Sequence, residues 1–214
     1  MPAHGRWFPE QVWHGHSCYV VGGGYSLHDF DWDLLADRNV VGTNVMFYYG
    51  HDLVPICVAG DARFINNATH QKAIKRYVAA GGIMVTNSNR YKKPPPWLKV
   101  MKRKLRGLGT DALGWNANTG ASAINLALLL GANPVYLLGY DMQPARNGRC
   151  NFHTSYAKSR SNPKVYKRFI KGMEYVAADL KKVFPDRQVI NLEDDTSALD
   201  VFPKQSLKAH FKEN

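Results

Sequence analysis

The residue types best suited to a phosphorylated ligand recur in this sequence directly after short apolar runs. Gly22-Gly23-Gly24-Tyr25-Ser26 follows Ser17-Cys18-Tyr19-Val20-Val21, and Thr43-Asn44 follows Asn39-Val40-Val41-Gly42. Gly60-Asp61 follows Leu53 to Ala59, and Gly139-Tyr140-Asp141 follows Val135-Tyr136-Leu137-Leu138. Glycine lets the backbone come close to a phosphate or ribose and offers it N–H donors. Ser26 and Asn44 can add side-chain hydrogen bonds, and an aspartate at such a point suits a ribose hydroxyl or a metal. The competing local reading of Gly22 to Leu27 is a plain strand-to-helix turn. The stretch is not a Walker A loop, because no Gly-Lys-Ser/Thr follows. It is not G-x-G-x-x-G either, since His28 follows Tyr25-Ser26-Leu27.

Asn118-Thr119-Gly120 stands just before an Ala/Leu-rich stretch. Thr119 suits an N-cap there, and the same helix start, positive through its dipole, suits an anion. His153 lies in a polar loop beyond Asp141. Histidine titrates near neutrality and can act as a general acid or base, although a lone loop histidine is more often simply exposed. His4, His14 and His16 lack the H-E-x-x-H spacing and are not read as metal ligands.

The elements that must position these residues alternate. Strands are expected at 17–21, 39–44, 53–59, 83–86, 135–138 and 189–192, each short, apolar and closed by turn residues. A short helix is expected from Asp31 to Leu35, and longer ones over 68–80, 119–130 and 165–184. The last carries Phe169, Met173, Val176, Leu180 and Phe184 at spacings of three or four, an amphipathic pattern. Gly81-Gly82 and Gly131 stop two of these helices. Such alternation predicts a Rossmann-like three-layer α/β/α sandwich with a mainly parallel sheet, where ligands bind beyond the carboxyl ends of the strands. The whole chain, 1–214, reads as one domain: an irregular arm over 1–16, a core over 17–202 with a basic insertion at 90–108, and a polar tail over 203–214 that is expected to fray.

Residues 90–106 carry eight basic residues and no acidic one. Pro94-Pro95-Pro96 favours an extended spacer, and a short basic helix is expected from Trp97 to Leu108. Lys102, Arg103, Lys104 and Arg106 form a candidate nucleic-acid contact, with Trp97 and Tyr91 able to stack on bases. A solvated loop and a mobile lid over a nucleotide are the other readings of this segment. The net charge of +11 points to an anionic partner, with simple solubility as the other explanation.

The 214 residues, 45% hydrophobic and 21% charged, exclude a fully disordered chain. The longest apolar run, Ala121 to Ala132, is broken by Ser122 and Asn125 and falls short of the roughly 20 residues of a membrane span. The first ten residues contain no apolar signal-peptide core. Three distant cysteines with no C-x-x-C pair argue against a zinc site or a disulfide framework, so a cytoplasmic location is expected.

Together the motifs resemble a known superfamily. Gly22-Gly23-Gly24-Tyr25-Ser26-Leu27 resembles the G-x-G-P-S-L turn of family-42 bacterial sialyltransferases and of the related MptE-like (6-hydroxymethylpterin diphosphokinase-like) domain. Asn44 is similar to the asparagine after their second strand. Asn118 to Ala123 and Val135 to Asp141 are similar to their T-S-G and I-Y-L-x-G-x-D patterns, and His153 falls where the sialyltransferases carry a loop histidine. Small phage-encoded proteins share this layout, and the chain looks most like those. The resemblance implies a nucleotide-binding transferase, glycosyltransferase-like, that takes a phosphorylated donor such as a CMP-type nucleotide-sugar without a metal. The alternative branch passes diphosphate from ATP with magnesium. Carried over, Gly22, Gly24, Ser26, Asn44, Thr119 and Gly120 would hold the nucleotide and His153 would be the base; Gly23, Asn118 and Asp61 are further candidate nucleotide contacts, Asp61 fitting the diphosphate branch better, and Asp141 is a second candidate catalytic residue. Two features depart from the sialyltransferase pattern. Tyr25 replaces its proline, and Met142-Gln143-Pro144 stands where a tyrosine steadies the leaving phosphate, Tyr156 being nearby in sequence.

Overall fold

The computed structural model describes residues 7–154, 163–194 and 197–213. In chain order the strands are β1 (Cys18–Val21), β2 (Val40–Thr43), β3 (Ile56–Val58), β4 (Ile83–Thr86), β5 (Leu98–Val100), β6 (Arg103–Lys104), β7 (Leu113–Gly114), β8 (Val135–Leu138), β9 (Val189–Leu192) and β10 (Lys204–Gln205). The helices are α1 (Ala62–Asn66), α2 (Ala68–Ala79), α3 (Thr119–Leu129), α4 (Pro163–Val183) and α5 (Leu207–Glu213). Eight strands form one sheet in the order β10-β9-β8-β1-β2-β3-β4-β5, every neighbouring pair parallel. The chain winds outward from β1 to β5, then returns to the other side of β1 with β8. The strand order therefore reverses between β1 and β8, where a crevice must open above their carboxyl ends.

The strands are apolar on both sides because both sheet faces are covered. Cys18 and Val20 face a core completed by α3 and by Met173 and Val176 of α4. Tyr19 and Val21 face the other core, filled by Ile65, Ile74 and Tyr77 from α1 and α2 and by Leu207 and Phe211 from α5. These are the three layers.

Helix α3 is the central prop, with Gly120 through Leu129 all buried. Ser122 and Asn125, the polar breaks in its apolar run, tie down the neighbouring loop. Asn125 Oδ1 accepts from the N–H groups of Gly109 and Gly114 at 2.8 Å each, and Ser122 Oγ donates to Gly114 O at 2.9 Å. These bonds satisfy the buried amide and hydroxyl while holding residues 109–114, and so the turn into α3, in place.

Two expectations are corrected. Trp97 to Leu108 is no helix. Leu98, Val100 and Met101 are buried, so the segment forms the edge strand β5 and then β6, with Lys102 and Lys104 exposed. The tail does not fray from residue 203. β10 pairs with β9, and α5 docks its His210 and Phe211 on Tyr19, whose hydroxyl lies 2.8 Å from His210 Nε2. Residues 7–16 hold neither helix nor strand, but Trp13 N–H and Gly15 N–H donate to the carbonyls of Leu130 and Gly131. Among the described residues no helix is long and apolar enough to cross a membrane.

Candidate functional site

The crevice predicted by the strand order is a cavity of about 840 Å³, running along the carboxyl edge of β8, β1, β2, β3 and β4. Gly22, Gly23 and Gly24, Asn44, Asp61, Asn118 to Gly120, Asp141 and His153 all line it. Ser26 does not line it.

The glycines divide the work. A Cβ on Gly22 would lie 2.6 Å from Gly139 O, and one on Gly24 would strike the Asp141 carboxylate. Their N–H groups are engaged as well, Gly22 with Leu138 O at 2.7 Å and Gly24 with Gly139 O at 2.9 Å. Both glycines therefore serve the close approach of the β1 and β8 ends. Gly23, which lines the cavity with them, is not caught in that approach. Its carbonyl accepts from Phe152 N–H at 3.3 Å, which brings the His153 loop over the turn. A Cβ there would lie 3.5 Å from His153 Nε2.

The start of α3 converges on the same space through Tyr140. The Tyr140 ring lies 3.2 Å from where a Gly22 Cβ would stand and 2.9 Å from where a Gly120 Cβ would stand, and its hydroxyl donates to Gly120 O at 3.1 Å. The N-cap is Asn118, not Thr119: Asn118 Oδ1 accepts from Gly120 N–H at 2.8 Å. The Thr119 hydroxyl is thus left facing the cavity beside Gly60, 3.2 Å from where a Cβ on that glycine would stand. Asn118 Nδ2 is buried with no acceptor among the described residues.

Asp141 is held by Ser26. Oδ2 accepts from Ser26 N–H at 2.9 Å and Oδ1 from Ser26 Oγ at 2.5 Å. Burial pushes the carboxyl above its ordinary value, and the two Ser26 bonds work against that shift. Asp61 caps α1 by accepting from Arg63 N–H at 2.8 Å. Burial pushes the His153 imidazole down to about 4, so it is neutral near pH 7.

Backbone strain gathers here. Asn44, Ala117 and Met142 line the cavity with φ of 52° each, and Asn116 beside them has φ 48°. Such left-handed backbone is unfavourable for residues other than glycine and collects at functional sites.

The nucleic-acid candidates are dispersed. Lys102 pairs with Asp111 at 2.9 Å, Lys104 with Asp179 at 3.2 Å, and Arg106 lies 5.3 Å over the Tyr175 ring. Arg103 turns into the cavity. The two carboxylates on the cavity wall are engaged as described, and among the described residues no three His, Cys, Asp or Glu side chains come together as ligands. Tyr156 lies outside the described residues.

The sequence reading missed several lining residues: Arg63, Ser88, Asn89, Trp115, and Tyr166 with Arg168 on α4, while Arg90 and Arg103, read there as part of the basic segment, line the cavity too. Ser88 to Arg90 follow β4 and obey the same post-strand rule as the residues that were found. Tyr166 stands three residues before Phe169, in line with the apolar stripe of its helix, so its spacing reads as packing rather than ligand contact. Burial pushes its phenol up, with Cys150 adding to the shift, so it keeps its proton.

No family model and no curated protein matches the sequence. Among solved structures the fold is similar to that of the sialyltransferase CstII from Campylobacter jejuni in complex with the substrate analogue CMP-3FNeuAc. The TM-score is 0.54 at 14% identity, over 90% of this chain and 87% of that one. A second structure of CstII, with cytidine-5'-monophosphate, gives a TM-score of 0.49 at 13% identity, over 90% and 86% of the two chains. The chain thus shares the α/β fold of this sialyltransferase.

Proposed function

We propose that this protein is a nucleotide-dependent transferase of the glycosyltransferase kind, using a nucleotide-sugar of CMP type. The observation that carries the reading is the meeting of Gly23, the α3 N-terminus and His153 in one cavity at the point where the strand order reverses. The fold shared with a sialyltransferase that was solved with a CMP-sugar analogue supports it.

The donor phosphate lies against Gly23 and the start of α3, where the helix dipole and the Thr119 hydroxyl favour negative charge. The orphaned Asn118 amide gives the ligand a further donor. His153, neutral near pH 7, accepts the proton of an acceptor hydroxyl through a ring nitrogen as that oxygen bonds to the anomeric carbon of the sugar. The bond from that carbon to the phosphate oxygen breaks, and the nucleoside monophosphate leaves. The protonated Tyr166 hydroxyl and the Arg168 guanidinium line the same space and offset the departing charge. Tyr166 therefore fills the role for which no tyrosine follows Asp141 directly in sequence. Asp141 acts by holding the turn through Ser26.

The test is nucleotide-sugar turnover by wild-type protein and by His153→Ala. Loss of turnover with retained nucleotide binding supports the base, and equal turnover removes it.

A further inference from the structure

Beyond the glycine turn and α3, the β4 end of the cavity carries charge that the proposed reaction does not use. Arg63, Arg90 and Arg103 line it. Among the described residues none of the three is in an ion pair. Arg103 is built in place rather than left to wander. Its Nε donates to Asn87 O at 2.7 Å, and its guanidinium lies 4.7 Å over the Trp115 ring. Both contacts fix the plane of the fork and leave its two terminal nitrogens available, the geometry in which arginine grips an oxyanion at two points.

A second observation comes from Asn87, which is completely buried. Its Nδ2 donates to Ser122 Oγ at 3.0 Å, and that hydroxyl gives its single proton to Gly114 O. The amide orientation follows from this chain of donors. Among the described residues, Asn87 Oδ1 is then a buried acceptor with no donor. It lies 3.7 Å from where a Gly60 Cβ would stand, beneath the part of the cavity wall formed by Gly60, Trp115 and Thr119. A buried acceptor of this kind is costly unless a ligand supplies the missing N–H or O–H.

We propose that this end is a second anion subsite, built on Arg103 with Arg63 and Arg90, that takes a phosphate or carboxylate flanked by a hydroxyl donating to Asn87. Three strand spacings separate β1 from β4, so the subsite stands roughly 14 Å from the glycine turn. The ligand is an acceptor that carries this anion beside its hydroxyl, since the donor phosphate is assigned to the glycine turn. The inference rests on the reading of this cavity as a donor site only in assigning the first anion to the nucleotide.

The experiment titrates the full chain with inorganic phosphate and, in parallel, with glucuronate, each in the presence of saturating CMP. Wild-type protein is expected to bind one of these anions with CMP in place, and the tighter probe names the anion. Arg103→Gln and Arg90→Gln are each expected to weaken that binding at least tenfold while CMP affinity changes less than twofold. Arg90 is exposed, so its variant reports even if Arg103→Gln disturbs the loop. Lys102→Gln, which removes a nearby cation outside the cavity, is expected to leave binding unchanged. Anion binding that is equal in wild type and both arginine variants, or absent from wild type, overturns the subsite. If CMP itself does not bind, the donor-site reading fails, and the same anion titrations without CMP still decide the subsite.

Discussion

His153 sits over Gly23 with its imidazole held neutral by burial, at about 4. A base of that kind is unprotonated through most of the working range. The acid limb of kcat/KM for the free enzyme is therefore expected well below the ordinary histidine value of about 6.5. An anionic donor beside the ring favours the imidazolium, so the limb of kcat is expected at higher pH than that of kcat/KM. Initial-rate profiles against pH check both. His153→Ala is expected to lower kcat by roughly 10²–10⁴-fold. The same shift bears on folding. The unfolded chain binds a proton at its ordinary value and the folded chain only near 4, so this residue makes stability fall as pH drops from about 6.5 to about 4. His153→Gln is expected to flatten that part of a stability–pH curve. Ser26→Ala removes a hydroxyl that donates to the buried Asp141 carboxylate, and is expected to cost about 1.5–3 kcal/mol in chemical denaturation.

At the scale of elements, the ends of β1 and β8 interlock. Gly24→Ala drives a methyl group into Asp141 and Gly139 O, so it is expected to lose stability and nucleotide binding together. Gly23→Ala meets only Asn151 Oδ1 at 3.2 Å and His153 Nε2 at 3.5 Å, and is expected to stay folded while turnover falls. Comparing melting temperature with activity for the two variants separates a wedge in the fold from a wedge in the site. Asn118→Ala removes the cap of α3 and is expected to cost about 1 kcal/mol, with weaker nucleotide affinity besides. The strands around this interlock were legible because each is a short apolar run closed by glycine, asparagine or aspartate. The stretch after Pro96 was not legible, because Lys99, Lys102 and Lys104 interrupt it and mask the alternate Leu98 and Val100 that point inward. α5 escaped because a seven-residue helix carries little periodic signal, and docking on Tyr19 rather than propensity holds it.

Across the whole molecule, post-strand residues from distant parts of the sequence converge because the sheet is parallel and its order reverses beside β1. That convergence could be read from alternation and turn residues. The contribution of Arg103, Trp115 and Tyr166 could not, because Arg103 lies within β6, Trp115 follows β7, a strand of two residues that no apolar run marks, and Tyr166 stands on a helix face whose spacing reads as packing. The same geometry recasts the +11 charge: part of it lines the cavity instead of forming one continuous basic arm. A nucleotide at a hundredfold excess over its dissociation constant is expected to add about 2.7 kcal/mol. For a chain of this size that is a melting shift of roughly 5–10 °C. The most direct test of the central claim is a CMP titration of the full chain followed by backbone amide NMR. The account predicts saturable binding at millimolar concentration or tighter, with the largest shifts at Gly23, Thr119 and Gly120. No binding of CMP or of any other nucleoside monophosphate, or shifts confined to residues outside this cavity, would contradict it.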